Sequence, residues 1–93
     1  MRRVHLVITG RVQGVLFRRY AHAIARELGI TGWAKNALDE NVEMVCEGKE
    51  KGIALFIAFM RQGPSMAHVK DVKIEDEEHT GEFSDFTIRE FGF

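Results

Sequence analysis

The sequence has only one cysteine, Cys46, and no long apolar run. A single cysteine cannot form a disulfide bond within the chain, which excludes the disulfide-dense scaffolds of small secreted domains and fits a reducing compartment. The N-terminal apolar stretch from Val4 to Ile8 is interrupted by His5 and is too short for a signal peptide. Since no stretch approaches the ~18 consecutive apolar residues of a membrane span, we expect a cytoplasmic protein with no membrane partner.

Groups that carry metal-dependent or nucleophilic chemistry are also sparse. The four histidines have no metal-ligand spacing among them, and no serine or cysteine stands beside a histidine in a motif. We therefore predict no metal site, and we expect a reaction that needs no paired nucleophile and base. Cys46 lies on the apolar face of a predicted strand, where a buried small hydrophobe is expected.

Charge is nearly balanced overall but is unevenly distributed along the chain. A net charge of −1 argues against a general affinity for nucleic acids. Residues 1–26 contain no Asp or Glu, whereas acidic residues are concentrated between positions 71 and 90. The arginines of the N-terminal part are Arg2, Arg3, Arg11, Arg18, Arg19 and Arg26. An anionic ligand is therefore expected to bind the N-terminal part of the chain.

Hydrophobic periodicity predicts a strand and then a helix in the first third of the chain. Val4, Leu6 and Ile8 recur with the period of two that is typical of a strand. The apolar residues of 17–28 recur at helical spacing, and Gly29 stands where a left-handed helix cap is favoured. Strands are predicted at 31–37 and 42–47, joined by a hairpin turn at 38–41.

The second half continues with a helix that ends at Gly63-Pro64 and with two further strands. The apolar spacing of Val69, Val72 and Ile74 slips by one residue, which predicts a bulge in that strand. An acidic, solvated connection is expected at 75–81, before a last strand from Phe83 onward. The order predicts an α+β, ferredoxin-like split βαβ fold: βαββαβ plus a C-terminal strand, with two helices on one face of a mostly antiparallel sheet. Residues 1–93 are expected to form one domain.

The connection between the first strand and the first helix has the features of an anion site. Gly10 and Gly14 allow a tight loop, and free N–H groups at a helix N-terminus favour negative charge. Arg18 and Arg19 stand at that end of the helix, where cations cost about 0.3–1 kcal/mol unless an anion compensates. Two solvated arginines at a frayed helix end would give the same pattern, and the residues alone leave this alternative open. Asn36, just before the hairpin turn, is by pattern more typical of an asparagine that bonds its own backbone.

Three motifs resemble the acylphosphatase family. The first matches Gly-x-Val-Gln-Gly-Val-x-Phe-Arg at every specified position and reads Gly10-Arg11-Val12-Gln13-Gly14-Val15-Leu16-Phe17-Arg18. The second, Gly-Trp-x-x-Asn, is present as 32–36, and the third begins at Gly63-Pro64. The resemblance covers essentially the whole chain. One departure is Glu40, which stands where the family commonly has glycine; we expect the positive φ of the turn to pass to Asn41.

The resemblance implies hydrolysis of carboxyl–phosphate anhydrides without metal or cofactor. By motif position, Arg18 is the catalytic arginine that binds phosphate, and Asn36 orients the attacking water. The backbone N–H groups of the loop are expected to bind the substrate phosphate; they belong to Gln13, Gly14, Val15, Leu16 and Phe17. The implied partner is a small-molecule acyl phosphate, with inorganic phosphate as product or inhibitor, and the chain is expected to be a monomer.

Two other classes of function remain to be weighed. A domain that binds an anion without turning it over would carry the same loop. Single-stranded RNA binding on a ferredoxin-like sheet needs aromatic residues on the central strands, and the first and third strands here contain none. We therefore expect no nucleic-acid partner.

Overall fold

The computed structural model describes residues 1–90 as two helices packed on one face of a five-stranded sheet. The strand and helix bounds agree closely with the hydrophobic periodicity. The elements are β1 (Arg2–Arg11), α1 (Phe17–Leu28), β2 (Thr31–Asn36), β3 (Val42–Gly48), α2 (Glu50–Gln62), β4 (His68–Glu77) and β5 (Phe86–Arg89). This is the predicted βαββαβ order with an additional C-terminal strand, which confirms the ferredoxin-like fold.

The strands lie in the order β4-β1-β3-β2-β5. β1 pairs antiparallel with β3 and β4, β2 pairs antiparallel with β3, and β5 pairs parallel with β2. One end of the sheet therefore gathers the ends of β1, β2 and β5 and the starts of β3 and β4. We call it the Arg11 end, after the last residue of β1.

The core lies between the sheet and the helices, because strand and helix each present one apolar face to it. Val4, Leu6 and Ile8 are completely buried on the face of β1 that meets the helices. The helices bury Phe17, Ala21, Ala25, Ile53, Phe56, Ile57 and Met60 against that face. Burying one large aliphatic or aromatic side chain contributes about 1.5–3 kcal/mol, so this layer supplies most of the driving force for folding. Cys46 belongs to the same core, as predicted, and burial raises the pKa of its thiol.

The predicted bulge is confirmed and explains why Gly10 is a glycine. The pairing of β1 with β4 shifts after Thr9 and Asp71, so that Gly10 faces Val69 and Lys70 is the extra residue. The φ of Gly10 is +125°, and a Cβ there would overlap the carbonyl oxygen of His68. We expected Gly10 in the anion-binding connection; it lies within β1, and its role is to admit the backbone of β4.

The connection at 75–81 is exposed, as predicted, but its first part is strand and its last part is anchored to the sheet. β4 continues through Glu77, and beyond it Thr80 and Gly81 bind the carboxylate of Glu47, which is only 2% exposed. Glu47 accepts hydrogen bonds from the Thr80 N–H at 2.9 Å, the Gly81 N–H at 3.0 Å and Arg3 Nη1 at 3.1 Å. This buried carboxylate therefore holds the connection between β4 and β5 at the end of the sheet opposite the Arg11 end.

The hydrogen bonds of Glu47 outweigh the effect of its burial. Burial alone would raise the pKa of the carboxyl, but the Thr80 N–H, Arg3, the Thr80 hydroxyl and the Gly81 N–H together lower the pKa from 4.5 to about 2. A carboxyl with a depressed pKa contributes stability above its ordinary pKa and loses it as pH falls toward the folded-state value. The contribution of Glu47 is therefore present at neutral pH and is lost between pH 4.5 and about 2.

Glu47→Gln is expected to lower the free energy of unfolding by about 3 kcal/mol at neutral pH, the free-energy equivalent of the pKa depression. The difference from wild type should shrink as pH falls toward 2. Urea denaturation at neutral pH and at several lower pH values measures both quantities. Glu82→Gln is the matched control, because Glu82 also binds Arg3 but is 54% exposed, so its loss should lower the free energy of unfolding far less. A Glu47 effect that is equally small, or independent of pH, would contradict this account.

The other face of the sheet is not covered by a helix within the described residues. Trp33 lies on that face, where Arg89 Cζ is 4.8 Å and Lys35 Nζ is 5.4 Å from the centre of its ring. Trp33 is half-buried and lies outside the core between sheet and helices, because β2 presents Gly32 and Ala34 to the helices instead. None of the helices in residues 1–90 is long and apolar enough to cross a membrane.

Candidate active site

The loop between β1 and α1 has the backbone conformation of an anion-binding loop. Gly14 and Leu16 both adopt left-handed conformations, with φ of 72° and 62°. Leu16 is the residue before α1, and among residues 1–90 no side chain caps the helix start and no acidic residue lies in its first turn. The first N–H groups of a helix have no partner within the helix, and left-handed turns next to them create concave surfaces lined with N–H donors. This backbone can therefore accept a phosphate-sized anion.

Buried side chains hold this loop in place from both ends. Val12 and Phe17 are each only 1% exposed and anchor the two ends of the loop in the core. Gln13 Nε2 donates to the carbonyl oxygens of Ala37 and Asn41, both at 2.9 Å. Both hydrogens of the Gln13 amide are thus used to join the loop to the turn between β2 and β3. The side chain of Gln13 positions the loop, while its backbone N–H belongs to the predicted phosphate site.

Arg18 extends from the start of α1 to the end of β5. Its Nη1 donates to the carbonyl oxygen of Arg89 at 3.2 Å and lies 3.9 Å from Glu90 Oε2. Arg89 is the register partner of Lys35 on β2, so the Arg18 guanidinium lies close to the Arg11 end of β2. Its side chain is 26% exposed, which leaves N–H donors available to a ligand. Arg19, by contrast, is exposed, as a solvated charge is expected to be.

Asn36 is the last residue of β2 and lies at the same end of the sheet. It pairs with Val42, which in turn pairs with Ile8, and Val42 and Ile8 are both fully buried beneath the helices. By strand alternation Asn36 shares this face with Ala34. Within residues 1–90, the side-chain bonds of the following turn come from Gln13, Asp39 and Asn41, and none involves the Asn36 amide. Among the described residues the Asn36 amide therefore has no partner in the turn, and it lies at the Arg11 end.

The turn after Asn36 departs from what the sequence predicts. Glu40 itself has φ of 70°, so the positive φ does not pass to Asn41. The turn is closed by the Ala37 N–H on the Asn41 carbonyl at 2.8 Å, and Gln13 binds the carbonyls of the same two residues. Within this closed turn, Glu40 adopts the left-handed conformation that glycine adopts most easily. A left-handed conformation costs a residue with a side chain about 1–2 kcal/mol, which the surrounding bonds must offset.

Two of the histidines make contacts within the fold. His5 Nε2 lies 2.6 Å from Glu43 Oε2 on the uncovered face, and the His22 ring packs 6.3 Å from the Phe86 ring. In the described part of the chain, no group of three or more His, Cys, Asp or Glu side chains is placed to hold a metal ion.

Sequence reasoning missed two side-chain contacts at this end. Glu90, beside Arg18, and the clamp formed by the Gln13 side chain both depend on contacts between distant parts of the chain. An acidic residue directly after a predicted last strand gave no signal that it would meet the first helix.

Comparison with known proteins agrees with the fold and with the motifs. The acylphosphatase family model matches residues 4–88. An acylphosphatase of Methylococcus capsulatus is 42% identical over 88 residues, which cover 95% of this chain and 96% of the relative. The crystal structure of acylphosphatase from Bacillus subtilis superposes with a TM-score of 0.92 at 29% identity, covering 96% of this chain and 99% of that one. An acylphosphatase structure from Coxiella burnetii has a TM-score of 0.90 at 35% identity and covers 95% of this chain and 92% of that one. The chain belongs to the acylphosphatase family.

Proposed function

We propose that this protein hydrolyses the carboxyl–phosphate anhydride bond of acyl phosphates to a carboxylate and inorganic phosphate, without metal or cofactor. One observation carries the proposal. An uncapped helix start with a left-handed loop, the guanidinium of Arg18 and the amide of Asn36 all lie at the Arg11 end of the sheet. Membership of the acylphosphatase family supports the same activity.

Phosphate binding is assigned to the loop backbone and to Arg18. The N–H groups of residues 13–17 donate to the phosphoryl oxygens, and Arg18 binds two of those oxygens with its planar guanidinium. Each hydrogen bond to a charged group contributes about 1.5–3 kcal/mol. The hydrogen bond from Arg18 Nη1 to the Arg89 carbonyl oxygen at 3.2 Å supports phosphate binding by Arg18, because it orients the guanidinium. Among residues 1–90 this bond uses one N–H donor of the five that a guanidinium has.

Asn36 is assigned to the attacking water. A side-chain amide offers a carbonyl oxygen that accepts a hydrogen bond from the water and an NH2 group that donates one to the water or to the phosphoryl group. In-line attack on phosphorus needs positioning more than covalent chemistry from the protein. The proton of the water passes to an oxygen of the substrate itself, so the step requires no protein base.

The leaving group accounts for the substrate class. The carboxylate released from an acyl phosphate has a pKa of about 4, similar to that of Asp and Glu side chains, and it leaves without protonation. An alcohol leaving from a phosphate monoester needs a general acid, and no acid is among the residues assigned here. Acyl phosphates therefore suit this site, and monoesters do not.

The test is hydrolysis of an aryl acyl phosphate, followed by ultraviolet absorbance in the presence of a chelator. We expect turnover that the chelator does not change. An aryl phosphate monoester should react more slowly by about 100-fold or more, the contribution of the missing general acid. Turnover that the chelator abolishes, or equal rates on both substrates, would refute the proposal. Phosphate binding without any turnover would instead identify a domain that only binds anions.

A further inference from the structure

The guanidinium of Arg18 already faces a carboxylate before any ligand binds. Glu90 directly follows β5, and its Oε2 lies 3.9 Å from Arg18 Nη1. The Glu90 side chain is 79% exposed, so the carboxylate is free to move away. The two cations on the paired ends of β2 and β5 have partners elsewhere: Arg89 stacks on Trp33, and Lys35 Nζ lies 3.7 Å from Glu43 Oε1. Among these three cations, Arg18 is therefore the one that Glu90 neutralises.

We propose that Glu90 sets the phosphate affinity of the site as a tethered counter-ion of Arg18. An incoming phosphoryl group competes with the Glu90 carboxylate for the same guanidinium and is repelled by its charge. This inference rests on the proposed function only in taking Arg18 as the phosphate ligand. Exposed ion pairs are weak, so the competition is worth about two- to fivefold in affinity. A modest affinity keeps the product, inorganic phosphate, from accumulating on the enzyme.

The competition acts on binding and leaves the chemical step unchanged. The phosphoryl group is anionic in the substrate, in the transition state and in the product, so the Glu90 charge opposes all three to a similar extent. An interaction of equal strength in the ground state and the transition state changes KM and leaves kcat unaltered. Glu90 is thus an affinity-setting residue that acts through Arg18. Its removal should lower KM and strengthen inhibition by phosphate together.

The experiment compares Glu90→Gln with Glu78→Gln. Both variants remove one negative charge from an exposed side chain, but Glu78 follows β4 at the opposite end of the sheet. Calorimetric titration with inorganic phosphate at low ionic strength measures affinity, and steady-state kinetics on an aryl acyl phosphate measure KM and kcat. For Glu90→Gln we expect phosphate affinity to rise and KM to fall by about two- to fivefold, with kcat unchanged. The gain should shrink at about 0.5 M salt, where exposed charges are screened within a few ångströms.

The outcomes separate this inference from the proposed function. The inference is overturned if Glu90→Gln binds phosphate with the same Kd as wild type. It is also overturned if Glu78→Gln changes the Kd as much as Glu90→Gln does, because the change would then be an effect of net charge. A change in kcat without a change in KM also overturns it. The titration requires no turnover. If the wild-type protein bound phosphate without hydrolysing acyl phosphates, the proposed function would be refuted, and the titration would still test the role of Glu90.

Discussion

Replacing Arg18 with alanine is expected to lower the turnover of an aryl acyl phosphate by at least about 100-fold, the effect of removing one preorganised donor to a transition state. The physical reason is that, in the proposed function, the guanidinium supplies the side-chain charge and the two parallel N–H bonds on the phosphoryl group. Arg18→Lys should fail as well, because an ammonium is a point charge and cannot reproduce the planar pair of donors. Steady-state kinetics on the purified variants measure both effects.

The fold should survive the loss of Arg18. Within residues 1–90, the side chain makes one hydrogen bond to a backbone carbonyl and one long contact to an exposed carboxylate. We expect a change in unfolding free energy of no more than about 1 kcal/mol. Arg19→Ala is the matched control, since it removes the same charge from the next residue, whose side chain is exposed. Near-normal turnover of a folded Arg18→Ala, or an equal loss in Arg19→Ala, would show that Arg18 has been given the wrong role.

Asn36→Ala is expected to lower kcat by at least about 100-fold, again the value for one lost transition-state donor. Because the amide is assigned to the water and not to the phosphate, KM should change little. This division of effects distinguishes Asn36 from a phosphate ligand, whose loss raises KM. Inhibition by inorganic phosphate offers a second readout and should remain close to that of wild type.

The control for Asn36 is Asn41→Ala at the other side of the same turn. The Asn41 side chain bonds only to Asp39 among residues 1–90, at 2.9 Å, so this variant tests the turn without touching the proposed water site. We expect its kcat to stay within about threefold of wild type, in line with a neutral surface hydrogen bond worth about 0.5 kcal/mol. If Asn36→Ala retained wild-type kcat, or if only its KM rose, the assignment of Asn36 to the water would be wrong.

Local patterns predicted the elements well. The helix α1 begins and ends where the spacing of apolar residues places it, and Gly29 adopts the left-handed cap with φ of 69°. The reason is steric and short-range, since helix period, strand alternation and glycine caps depend on neighbouring residues only. Errors arose where a neighbour comes from far along the chain. Gly10 was expected in the anion-binding connection, but only the pairing of β1 with β4 shows that it lies within β1.

The candidate site was predictable in its residue types and less so in its geometry. The motif singles out Arg18 and Asn36, and the structure brings both to the Arg11 end of the sheet. Their roles in binding and catalysis stay predictions until the variants are measured. The positive φ of the turn was predicted at Asn41 but lies at Glu40. The turn residues alone do not reveal that the Gln13 side chain binds the turn.

The sequence by itself determined the order of strands and helices, the bulge in β4, the burial of Cys46 and a glycine loop at the start of a helix. Tertiary structure alone decided that Gly10 serves strand pairing and that the buried Glu47 anchors a distant connection. It also decided that Arg18 reaches the carbonyl of Arg89, 71 residues away in sequence. Periodicity reports which face of an element is apolar, whereas contacts between distant residues depend on sheet register and packing, which exist only in the folded chain.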